Sequence, residues 1–433
     1  MSGDSPALHP ERSAAAEDSV AASDTAAKPR SSQRHLYEID VLRILTFVCV
    51  IGVHTTSHTA GPDDVGLYML LDLMHFTREV FFALTAFVLV YSFLARPVPM
   101  RKFWPKRFLL VGVPYVAWSA IYVVAGYLHH PTGSVGDLVL KFVVTTLTGS
   151  AWYHLYFLLV TMQVYLLVPV IVWLVRRTRG KHWLLLLGAL AVQAGLMAWY
   201  HYGQSSYSWY GDWAKQIVFT YSFFVIAGAV AADHAAQFLT WVRTHRALIG
   251  WLVLASAAIM LGMYWVEVLV GHHSFYGAGT PMQPVMILWG VAVGIGFLAI
   301  GTWWADRRKA GSVTARVVDL ASDRSFGIFL SHPMVIWILL WVGDDWLERT
   351  VPTPWLTLVT YVLVIIGAVL ITEVARRTPL SLALTGRRYK ARPRGAQSGG
   401  PGAATQAPRV GSPADGSVTE PAPHDGSPVS SKA

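Results

Sequence analysis

Asp40, Arg43 and His54 stand inside a run from about Ile39 to Thr59 that is otherwise built mainly of Val, Leu, Ile, Phe and Thr. On an α-helix the separation of Arg43 and His54 is about three turns, so the two project from nearly one face roughly 16 Å apart along the axis. An imidazole that titrates near neutrality can act as a general base or a nucleophile, and a guanidinium can hold a phosphate or stabilise developing negative charge. Burying an arginine in hydrocarbon costs about 3 kcal/mol or more on insertion scales, so Arg43 is expected against a polar cavity or a partner. The plainer account is that Arg43 reaches to the lipid headgroups and His54 bonds a neighbouring helix.

A second apolar segment, LYMLLDLMHFTREVFFALTAFVLVYSFL, carries Asp72, His75 and Glu79 at i, i+3 and i+7 with Arg78 beside them. That spacing lays a polar stripe along one helical face, which must pair internally or line water. Arg78 and Glu79 are expected near the level of His54. An Arg78–Glu79 or Asp72–His75 pair that only fixes packing is the competing account. The loop that follows holds Arg96, Arg101, Lys102, Lys106 and Arg107 interleaved with Phe103 and Trp104. Such a loop suits a polyanion, such as the phosphates of a nucleotide-like cofactor, although cytoplasmic loops are basic for topological reasons alone. Further along, His154 lies in an aromatic Trp-Tyr-His cluster and His332 precedes Pro333. His54 and His58 stand at i, i+4, but no third metal ligand accompanies them, and His129–His130 and His272–His273 read as solvated pairs. No strand-borne GxGxxG, Walker loop or GxSxG elbow is present, which excludes the usual soluble nucleotide-binding and hydrolase chemistries.

The elements that must carry these residues are membrane helices. With 54% hydrophobic and 14% charged residues among 433, the chain is too apolar for a soluble protein of its size. Runs long enough to span are predicted at 39–59, 67–94, 108–128, 152–175, 183–200, 213–232, 247–270, 284–304, 326–342 and 355–375. The fold class is therefore all-α, a polytopic integral membrane protein of about ten transmembrane helices. Loop charges set its orientation. With both termini cytoplasmic, the inner loops hold the cations at 96–107, 176–181, 243–246 and 307–324, and the outer loops only Lys141 and Arg349. The net charge of +9 then follows from topology, and nucleic acid is not called for. Residues 1–35 and 386–433, rich in Ser, Ala, Pro and Gly, are expected to be disordered cytoplasmic tails flanking a membrane domain at 36–385. No cleavable signal peptide is evident before residue 39, and the single cysteine, Cys49, forms no intramolecular disulfide.

In order along the chain these residues resemble the acyltransferase-3 family of integral membrane acyltransferases, bacterial proteins of about ten helices that move acyl groups, often acetyl, from acyl-CoA to sugars, polysaccharides, lipids or secondary metabolites. Asp40, Arg43 and His54 are similar to the family's first-helix signature. Arg78-Glu79-Val80-Phe81-Phe82-Ala83-Leu84-Thr85-Ala86 resembles its second, with Thr85-Ala86 where Ser-Gly is usual and the phenylalanine register shifted. Arg107 and Pro114-Tyr115-x-x-Trp118-Ser119 resemble the third, with Leu110 in place of a second arginine. His154-Leu155-Tyr156-Phe157-Leu158, Val164-Tyr165-Leu166-Leu167-Val168-Pro169 and Ser325-Phe326-Gly327-Ile328-Phe329-Leu330-Ser331-His332 resemble later motifs.

The resemblance implies an O-acyltransferase of the cell membrane that uses acyl-CoA, in particular acetyl-CoA, as donor substrate, binds no permanent cofactor or metal, and acetylates a hydroxyl of a carbohydrate, lipid or metabolite. His54 would be general base or, less simply, nucleophile. Arg43 and Arg78 would stabilise the oxyanion or hold CoA phosphates, with Asp40 and Glu79 as their acidic partners. Arg101, Lys102, Lys106 and Arg107 would bind the CoA end. Two other readings of the residues stay open here. One is a transporter or flippase of a polysaccharide or lipid intermediate, with Arg43, His54, Asp72 and Glu79 as a proton relay. The other is a haem or metal protein using His54, His58 and His75.

Overall fold

The computed structural model describes residues 35–203 and 209–389, which contain helices and no strand. The expected tails lie almost wholly outside the described residues. In chain order the helices are α1 (Tyr37–Thr59), α2 (Val65–Met74), α3 (Thr77–Ala95), α4 (Met100–His129), α5 (Val135–Thr148), α6 (Tyr156–Arg177), α7 (His182–Tyr202), α8 (Trp209–Trp213), α9 (Ser222–Asp233), α10 (Ala235–Thr244), α11 (Arg246–Leu269), α12 (Phe275–Ala278), α13 (Val285–Arg307), α14 (Val313–Thr350), α15 (Trp355–Arg376) and α16 (Ser381–Thr385).

Among the described residues nine helical stretches are long and apolar enough to cross a membrane. The segment expected as a crossing at 213–232 is a pair of helical pieces, Trp209–Gln216 and Val218–Asp233, bent by 60° at the join, the shape of a broken span or of a re-entrant loop, and the count reaches ten only if the pair crosses as one. The crossing expected at 67–94 is one span, Val65–Ala95, interrupted at His75–Phe76 between α2 and α3. A helix break leaves carbonyls without intrahelical donors, and here the indole of Trp289 donates to the Leu73 carbonyl at 2.8 Å. The ninth crossing, expected at 326–342, belongs to a much longer helix, α14, that begins at Val313 with Ser312 as its N-cap. The Arg101–Arg107 segment, expected as a loop, is the first two turns of α4, which starts directly after Pro99.

Helix α5 has no counterpart among the predicted spans. Its N-terminus is closed by a capping box in which Ser134 accepts from the Asp137 amide and the Asp137 carboxylate accepts in return. Those hydrogen bonds hold the Asp137 carboxyl below its ordinary value. Val135, Val139, Leu140, Val143 and Leu147 are all exposed, the pattern of a short amphipathic helix lying in a lipid interface.

Burial orders the bundle. Of the apolar window of α1, 61% is buried, against 17% in α7, 22% in α11 and 28% in α15, so α1 is central and the others face lipid. Small residues bring the inner helices into backbone contact. A Cβ on Gly228 of α9 would lie 2.0 Å from the Ala83 carbonyl of α3, and one on Gly301 of α13 would lie 2.4 Å from the Glu38 carbonyl of α1. At one end, Arg243 bridges Glu38 and Asp306, at 3.1 Å each, while Arg246 also reaches Asp306. The same end holds Asp323, paired with Arg376 and with Arg387, so the packed chain extends beyond α16. Gly386, at φ 65°, ends α16, and a Cβ there would collide with Phe326 and the Leu110 carbonyl.

Candidate functional site

Three histidines far apart in sequence meet beside the central helix. The His54 ring of α1 stacks on His332 of α14 with centroids 5.4 Å apart, and His332 lies 5.6 Å from His154, in the turn before α6. His332 is fully buried, and its Nδ1–H donates to the Phe329 carbonyl at 2.7 Å. A carbonyl can only accept, so the proton resides on Nδ1 and Nε2 keeps a lone pair, which has no hydrogen-bond partner. The Tyr153 ring also lies against His54, with centroids 4.7 Å apart. The expected fourth span starts at Tyr156, so Tyr153 and His154 sit in the turn before it, with His154 buried and Tyr153 still 37% exposed.

His54, Tyr153 and His154 line a cavity of about 560 Å³, together with His75, Arg78, Lys215 and Tyr276. This is within the usual range for a small-ligand site. Arg78 Nη2 donates to the Pro281 carbonyl at 2.8 Å and to Glu79 Oε1 at 3.0 Å, and its guanidinium lies over the Tyr221 ring. Glu79 is fully buried behind Arg78 and does not line the cavity. The expected single polar stripe is therefore divided. The break after His75 turns His75 and Arg78 to the cavity, while Asp72 is buried beside Gly279 with neither oxygen hydrogen-bonded. The His75 amide donates to the Asp72 carbonyl at 3.2 Å, but the two side chains form no pair.

Asp40 and Arg43 are near one another and far from the cavity. Asp40 Oδ1 accepts from Ser322 Oγ at 2.6 Å, Arg43 Nη1 donates to the same hydroxyl at 3.2 Å, and His35 lies 2.5 Å from Asp40 Oδ2. Arg43 does not line the His54 cavity, because three turns of rigid helix separate the two. It faces the end of the bundle where Arg387 follows Gly386 and where Gly386 packs on α4. Arg101, Lys102 and Lys106 of α4 are exposed, and Arg107 lies over the Phe103 ring at 5.6 Å. None of these four has a carboxylate within ion-pair reach among the described residues. Four cations in the first two turns also face the positive end of the α4 dipole, an arrangement that favours a bound anion.

A second opening adjoins the cavity through His58 and Tyr153. It measures about 230 Å³ and is lined by His129, Trp152, Trp337 and Trp341. Trp337 and Trp341 lie parallel within 4°. Tyr276 and the Pro281 carbonyl carried no signal in the sequence, since they enter from loops, whereas Lys215 is a charge inside the run expected to span at 213–232 and was passed over. His154 and His332 were visible as intramembrane histidines, but only the packing of α1 against α14 joins them to His54. His54, His58 and His75 do not bring three ligand atoms together in the described residues.

A family model described as an acyltransferase domain matches residues 36–373. No curated protein and no solved structure matches the chain.

Proposed function

Because the chain belongs to this acyltransferase-3 family and so is a membrane acyltransferase acting on hydroxyl groups, we propose that acyl-CoA, specifically acetyl-CoA, is its donor and that transfer takes place at His54. The observation that carries this is the pairing of an imidazole cluster with a buried arginine around one cavity. His54 takes the proton of the acceptor hydroxyl as its oxygen attacks the thioester carbonyl. Arg78 faces the oxyanion that develops, a contribution that grows where water is excluded. Collapse of the tetrahedral intermediate breaks the C–S bond, and the CoA thiolate leaves with the proton held by His54. Glu79 and Pro281 hold the guanidinium in place.

The CoA phosphates bind at the α4 N-terminus to Arg101, Lys102, Lys106 and Arg107. Arg43, held by Asp40 and Ser322 at the end of α1, serves that donor end and not the oxyanion, since it stands outside the cavity. With both termini in the cytoplasm, donor enters from inside. The acceptor, a carbohydrate, lipid or metabolite hydroxyl, approaches through the aromatic opening at Trp337 and Trp341. Transport explains neither the family match nor the α4 cations that lack a carboxylate partner among the described residues.

The test is incubation of membranes with radiolabelled acetyl-CoA and identification of the labelled product. His54→Ala should lower transfer by about 10²–10⁴, the usual contribution of a general base, with insertion intact. Near-normal turnover in that variant would reduce His54 to a packing residue.

A further inference from the structure

A second group of ligating side chains lies away from the cavity, where the turn between α6 and α7 meets the junction of α9 and α10. His182 is the first residue of α7, Asp233 the last of α9, and His234 sits in the break that follows. None of the three lines the His54 cavity. One ligand atom from each lies within 4.8 Å of the others.

The protons of the two rings are fixed by their partners. His182 Nε2 meets the Val175 carbonyl at 2.8 Å, so Nε2 carries the proton and Nδ1 a lone pair. That Nδ1 lies 2.9 Å from His234 Nε2, which must therefore donate to it. A carbonyl that accepts from the far nitrogen of an imidazole is the usual support of a metal-ligating histidine, since it sets both tautomer and ring orientation. Zinc–nitrogen bonds of about 2.0–2.1 Å place two tetrahedral ligands roughly 3.3 Å apart. The observed gap needs only a small opening, and His234 is exposed at a helix break, where it can move. Asp233 completes the set. Arg179 holds its carboxylate from outside, Nη2 to Oδ1 at 2.8 Å and Nε to Oδ2 at 3.4 Å, so one oxygen can turn to an ion while the other keeps the arginine.

We propose that His182 Nδ1, His234 Nε2 and one oxygen of Asp233 form a site for a divalent first-row transition metal, Zn²⁺ foremost, with a fourth position open to water. Two imidazoles and a carboxylate suit zinc and its neighbours and not calcium or magnesium. On binding, the proton between the two rings passes from Nε2 to Nδ1 of His234 by exchange with solvent, so both imidazoles stay neutral and the ion takes its place between them. The ion would clamp the start of α7 to the end of α9. Since α9 packs backbone to backbone on α3 through Gly228 and Ala83, the clamp steadies the helix that carries Arg78.

The full chain, purified in detergent with a tag free of histidine and stripped by chelator, is titrated with Zn²⁺ by calorimetry and with Co²⁺ by visible absorption. The expected result is one ion per chain, a higher Tm with zinc, and affinity weakened at least about tenfold in His234→Ala and in Asp233→Asn. Both positions are partly or fully exposed, so both variants should fold, and neither should change acyl transfer in the absence of metal. Absence of saturable binding overturns the assignment. So does binding that both variants keep at full affinity, and binding lost only in His54→Ala would place the ion at the cavity histidines instead.

Discussion

Replacing Arg78 by Met tests the cavity most sharply, because structural and chemical roles of this residue give separable results. Arg78 is 14% exposed at its side chain and Glu79 not at all, with Glu79 Oε2 already lacking a partner. Arg78→Met leaves a buried carboxylate unpaired, which costs about 3–5 kcal/mol. The Pro281 carbonyl loses its donor as well, at about 1–3 kcal/mol. Together these approach the whole stability margin of a typical domain, about 5–15 kcal/mol. The single variant should therefore give low yield and a sharply lowered Tm, read by fluorescence size-exclusion after heating. Adding Glu79→Gln removes the stranded charge and should recover most of the loss. The recovered double variant should still transfer acetyl about 10²–10³ more slowly, the usual effect of deleting an oxyanion donor. A double variant that is folded and fully active would refute the role of Arg78 in catalysis. A single variant as stable as the parent would refute the buried ion pair.

Lys106→Gln with Arg107→Gln should raise the Kd for acetyl-CoA at least tenfold, since charge-assisted contacts contribute about 1.5–3 kcal/mol each; calorimetry on correctly inserted protein showing unchanged affinity would remove the α4 N-terminus as donor site. Gly228→Ala should destabilise the bundle by about 1–3 kcal/mol or more, because its Cβ would meet the Ala83 carbonyl at 2.0 Å and backbone must shift; an unaltered melting profile would contradict the close crossing of α3 and α9. A reporter fused after Arg177 should be cytoplasmic and one inserted at Gly271 external, and finding both on one side would break the proposed orientation.

Much of this protein was legible before its structure. Hydrocarbon must be crossed by satisfied backbone, so long apolar runs disclosed an all-helical membrane protein and the order of its crossings. Intramembrane charge is costly, so Arg43, His54, Arg78 and Glu79 stood out as residues kept for a reason, and the Arg78–Glu79 pair was among the arrangements foreseen. Three-dimensional packing decided which of them share a site. Helical periodicity placed Arg43 and His54 on one face but could not say that only His54 opens on a cavity. It gave Asp72, His75 and Glu79 a common stripe, which the break after His75 disperses, and the Leu73 carbonyl at that break finds its donor in Trp289 of a distant helix. The clustering of His54 with His154 and His332, and of His182 with Asp233 and His234, arises from contacts between segments remote in the chain. Spacing along a chain governs what one helix can present, while convergence of several helices depends on side chains and backbone approaches such as Gly228 on Ala83, which local sequence does not encode.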